Sequence, residues 1–122
     1  MNFTYDNSVN IRACIRIKKR NTNQVKKFTI TPNNGTFLFD DFNSEIYEII
    51  WKIIGNEAME KFDPKYHADD PDFNPFMITW KDSEGDEITI ISDIDLAEAI
   101  KETLEKKKEE RLLHVTVKVT IL

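Results

Sequence analysis

Three glycines, four prolines, one cysteine and two histidines are all that 122 residues contain of the types on which phosphate cradles, disulfide scaffolds and metal centres depend. So few glycines argue against a Gly-rich loop folded around phosphates. The lone Cys14 excludes an internal disulfide and points to a reducing compartment; its bland role is a small side chain on a strand. No apolar run approaches the roughly eighteen residues that a membrane-crossing helix requires. The start MNFTYDNS also lacks the charged-then-apolar pattern of a signal segment, so a cytoplasmic chain with no membrane contact is expected.

What is present is an ordinary apolar content of 40% beside 32% charged residues, enough to build one core but not two. The net charge of -5 conceals a segregation: residues 1–39 hold seven Lys/Arg and one acid, whereas residues 40–100 hold four Lys/Arg and seventeen acids. A basic front and an acidic middle permit opposite-sign contact between copies or relatives.

In NIRACIRIKKR, residues 10–20, Ile11, Ala13, Ile15 and Ile17 alternate with Arg12, Cys14, Arg16 and Lys18, which predicts a strand with one buried and one basic face. VKKFTI reads as its hairpin partner, with Phe28 and Ile30 on one side and Lys27 on the other, near the basic face of the first strand. Pro32 to Gly35 predicts a turn, and Asn43 or Ser44 is the expected cap of a helix that follows it. That helix carries the stripe Ile46, Ile49, Ile50, Ile53 and Ile54 and ends at Gly55 in a left-handed conformation. Residues 56–75 lack periodicity, although NEAMEKF could form a short helix.

Alternation returns in FMITWKD and EITIIS, two strands joined by a tight turn at Glu84 and Gly85. Ser92 and Asp95 form a capping-box pattern that starts a second helix at about Asp93, with Leu96, Ala99, Ile100, Thr103 and Leu104 inward and EKKKEER as its solvated end. LLHVTVKVTIL is the last strand, with Leu113, Val115, Val117, Val119 and Ile121 on one face. The order β-β-α-β-β-α-β predicts an α+β fold, a five-stranded mixed sheet covered on one side by two helices, for which the ubiquitin-like β-grasp roll is the natural candidate.

Between Trp80 and Leu96, Asp82, Glu84 and Asp86 are spaced by two, and Asp93 and Asp95 repeat that spacing at a strand-to-helix transition. Convergence of all five on one exposed patch would call for a cation, metallic or protein-borne. An EF-hand fails here: Gly85 falls at the fourth rather than the sixth place from Asp82, an Asp stands twelfth, and a strand occupies the middle. No nucleophile, His pair or pocket signature accompanies these acids, so no enzyme activity, cofactor, metal or small-molecule substrate is expected. His67 sits in the irregular acidic region and His114 on the polar face of the last strand. Nucleic-acid binding by the KKRN and KK runs is disfavoured by the acidic middle.

The stretch from Trp80 resembles the acidic motif of the PB1 domain family, a ubiquitin-like module. Its pattern of aromatic-x-Asp-x-acid-Gly-Asp, an apolar strand, then Asp-x-acid-Leu is met by Trp80, Asp82, Glu84, Gly85 and Asp86, then Asp93, Asp95 and Leu96. Trp80 replaces the frequent Tyr, and Ile94 stands where some members have a further acid. The resemblance covers roughly residues 10–121 and implies an N-terminal extension, 1–9, before a PB1-like domain at 10–122. It further implies that Arg12 occupies the place of a key first-strand lysine and that Lys26 and Lys27 resemble the basic pair of the second strand, with Arg16 and Lys18 nearby. Together these imply a mixed-type module that contacts itself or other PB1 domains front to back, as in scaffolds of selective autophagy. The alternative is a one-sided acidic-type module that binds the basic face of a different PB1 domain in a kinase, adaptor or autophagy-receptor complex.

Overall fold

The computed structural model describes residues 8–17, 22–55, 69 and 75–119. Strands β1 (Val9–Ile17) and β2 (Thr22–Ile30) precede helix α1 (Phe39–Ile54), strands β3 (Phe76–Lys81) and β4 (Glu87–Thr89), helix α2 (Asp93–Leu104), a 3-10 turn (Lys108–Glu110) and strand β5 (Leu112–Val119). The sheet order is β2-β1-β5-β3-β4. β1 and β5 are parallel neighbours at its centre, and the other pairs are antiparallel. This is the expected α+β, ubiquitin-like β-grasp.

Alternation builds the sheet as the sequence suggests. Ile11, Ala13, Ile15 and Ile17 of β1 and Leu113, Val115, Val117 and Val119 of β5 are all buried. They meet Phe42, Ile46, Ile50 and Ile54 of α1 and Leu96, Ala99 and Ile100 of α2 in one core. Full burial of each of these larger side chains stabilises by roughly 2 kcal/mol before entropy is counted. Phe42 is central, with ring centroids 6.1 Å from Phe28 and 6.5 Å from Phe39. β4 has only three residues, and the ladder is prolonged by the Ile90 N–H donating to the Ile78 carbonyl at 2.9 Å.

The start of α1 differs from the expectation of a cap at Asn43 or Ser44. It begins at Phe39, and the extended Leu38 before it supplies no side-chain cap. The acceptor comes instead from the other helix: the Phe39 N–H donates to Asp93 Oδ1 at 2.6 Å. Asp40 and Asp41 in the first turn suit the positive end of the helix dipole. At the far end Gly55 has φ 76° as expected, but ψ 178° carries the chain onward extended rather than in a left-handed helical turn. The candidate NEAMEKF helix, Lys18, His67 and Ile121 lie outside the described residues.

Candidate interaction surfaces

The β3–β4 connection is built by its own acids. The Gly85 N–H donates to the Asp82 carbonyl at 3.0 Å, and Gly85 takes φ 84°, a conformation that side chains with a Cβ resist. Asp82 Oδ1 then accepts two backbone N–H groups, from Glu84 at 3.0 Å and from Asp86 at 2.9 Å. This folding of the turn brings carboxylate oxygens of Asp82, Glu84 and Asp86 within 4.8 Å of one another, with Glu84 and Asp86 exposed. Three such oxygens fall short of the six to eight that calcium takes, and one of the Asp82 oxygens is already committed to the backbone.

Asp93 and Asp95 are not part of that group. Both lie beyond β4 and turn a carboxylate oxygen to the backbone: Asp93 caps α1, and Asp95 Oδ2 accepts the Ile91 N–H at 3.1 Å. Ser92 Oγ accepts the Asp95 N–H at 3.2 Å, so the predicted capping box forms, with its return bond reaching Ile91 rather than Ser92. Of the five acids that the sequence grouped, the structure clusters three and gives the other two capping duties. Beside them Ile91 and Ile94 are exposed.

The basic residues gather by register rather than by turn chemistry. Arg12 stands opposite Lys27 of β2 and opposite His114 of β5. Arg16 stands opposite Asn23 and Lys118. All point to the sheet face away from the helices. Lys26 pairs with the buried Ala13, so it lies on the other side of the edge strand from Lys27. Among the described residues no carboxylate is within ion-pair distance of Arg12, Arg16 or Lys27, whereas Lys118 Nζ meets Glu87 Oε1 at 2.9 Å. Partial burial pushes the His114 pKa down, helped by the charges of Arg12, Lys106 and Lys27. His114 and Lys118 were absent from the cluster read off the sequence; the parallel β1–β5 pairing is the feature that places them there.

The two surfaces flank the sheet. Lys27 lies on the edge strand β2 with Arg12 one strand in, and the acidic turn joins β3 to β4 at the other edge, two to four strand steps away, or about 10–19 Å. Among the described residues no helix is long and apolar enough to cross a membrane.

No family model and no curated protein matches the chain. Among solved structures, the chain is similar to the solution structure of the PB1 domain of Cdc24p (long form), with a TM-score of 0.50 and 18% identity over 93% of this chain and 96% of that one. The likeness supports a PB1-like, ubiquitin-type fold.

Proposed function

We propose that the domain is a PB1-type protein–protein interaction module, in which the acidic turn of one copy docks on the basic sheet edge of another copy or of a related domain. The observation that carries this reading is the placement of opposite charges on opposite edges of one sheet. A molecule so built offers its two charges at different edges, the acidic turn beside β4 and Lys27 on β2. Contact between copies is therefore heterologous and, unless a rotation closes the ring, extends into a chain.

Each exposed ion pair contributes only about 0–1 kcal/mol, so affinity comes from several acting together and weakens with salt. On the basic side Arg12 and Lys27 form the centre, with Arg16 beside them. On the acidic side Glu84 and Asp86 reach outward, and Asp82 holds their turn in shape. The one-sided acidic-type alternative is favoured by the splitting of Lys26 from Lys27 across the edge strand, which halves the basic pair.

Sedimentation velocity over a concentration series, at low and high salt, tests both. Growth beyond dimer that recedes with salt is expected, and Lys27→Glu or Asp86→Lys should each stop it. Mixing those two variants should give a dimer. A monomer at all concentrations that still binds a basic-type PB1 domain would replace self-assembly with the one-sided reading.

A further inference from the structure

We propose that the open face of the sheet holds a second binding site, a trough for a compact, multiply charged anion of the clustered-phosphate class, acting as a ligand rather than a substrate. The trough has a volume of about 490 Å³, within the range of small-ligand sites. Arg12 and Arg16 of β1, Lys81 of β3, Lys118 of β5 and Lys106 after α2 line it. Against these five cations stand only Glu87 and Glu102, in a chain whose net charge is -5.

One carboxylate already displays the chemistry of the site. Glu87 Oε1 accepts from Lys118 Nζ at 2.9 Å and from Thr79 Oγ1 at 2.8 Å, and these two bonds hold its pKa below the ordinary 4.5. An anionic oxygen is thus bound by an ammonium and a hydroxyl on this face. Thr116, opposite Thr79 in the β3–β5 register, lines the same trough. Arg12 and Arg16 have no such partner among the described residues, and Lys81 is left with only the more distant influence of Glu87. A single carboxylate would satisfy one of these cations. A phosphate cluster engages several at once and gives each guanidinium a pair of oxygens.

The site borders the acidic turn through Lys81 and Glu87, and it shares Arg12 and Arg16 with the basic surface proposed above, so a bound anion competes with a docked partner. His114 lies in the trough and serves as its reporter. An anion there opposes the cations that depress its pKa.

The test is an NMR titration of the His114 imidazole in a His67→Gln, Asp86→Lys chain. That chain has one histidine, and the self-assembly proposed above is blocked in it, so failure of either proposal is read separately. Inorganic tripolyphosphate should raise the His114 pKa by about one unit. Arg16→Gln with Lys81→Gln should weaken tripolyphosphate binding about tenfold, and Glu87→Gln, which frees Lys118, should tighten it a few-fold. An unmoved His114 pKa at saturating tripolyphosphate, or binding indifferent to the Arg16/Lys81 pair, would overturn the site. An equal response to a hexaglutamate peptide would overturn the choice of phosphate in favour of an acidic segment.

Discussion

The acidic turn and the basic sheet face carry opposite charge, and they are made in opposite ways. Asp82, Asp93 and Asp95 each turn a carboxylate to backbone N–H groups: Asp82 holds the turn that displays Glu84 and Asp86, and Asp93 and Asp95 hold the starts of the two helices. Among the described residues Arg12, Arg16 and Lys27 make no ion pair; they are displayed by a sheet whose stability comes from the residues between them. Arg12 is even set against Lys27, an arrangement that costs free energy through like-charge proximity. Three of the five acids of the motif are therefore architecture, whereas the basic face is a surface carried by architecture built elsewhere.

Mutations that remove charge should separate the two regions by stability. The largest loss is expected at Asp93→Ala, about 2 kcal/mol, because α1 loses a charge-assisted cap at its first N–H. Asp93→Asn keeps an acceptor oxygen and should recover most of it. Urea denaturation measures both, and equal effects of Ala and Asn would assign the loss to something other than the cap. Asp82→Ala follows at about 1.5 kcal/mol, since two turn N–H groups are released to water rather than buried. Gly85→Ala should cost about 1 kcal/mol from backbone strain alone, as space around the glycine is open. Arg12→Ala and Lys27→Ala, by contrast, should shift stability by no more than about 0.5 kcal/mol, and relief of repulsion makes a slight gain the expected sign. A large loss at Lys27 would mean that the basic face is architectural too.

The same contrast governs what could be read in advance. The turn at Gly85, the Ser92–Asp95 box and the strand alternations are local, with partners a few positions apart, and the sequence displays them directly. The true start of α1 was hidden because its cap lies 54 positions away; no window around Phe39 contains Asp93. The place of His114 beside Arg12 was hidden for a related reason, since it requires the parallel β1–β5 register rather than either strand alone. The split of Lys26 from Lys27 was legible. Adjacent strand residues point to opposite faces, and grouping them as a pair followed the resemblance at the expense of the period of two.

The smallest expected effect comes from His114, the histidine of the basic face among the described residues. It faces Arg12 and Lys27 from β1 and β2 and Lys106 from beyond α2, and Lys81 and Glu87 line the same trough. Its folded pKa is lowered, so the unfolded chain binds more protons between that value and the ordinary 6.5. The stability linked to neutral His114 is therefore complete above pH 6.5 and declines as the pH falls through the lower folded value. His114→Gln should flatten that segment of a stability-versus-pH curve measured by denaturant titration. Docked carboxylates reverse the sign for association: they favour the imidazolium, so acidification from pH 7 to about 6 should tighten basic-side binding while it loosens the fold. Binding that is unchanged or weaker at pH 6 would mean that the partner's acids do not reach the β5 side of the face, and would confine the contact to Arg12, Lys27 and the outer edge.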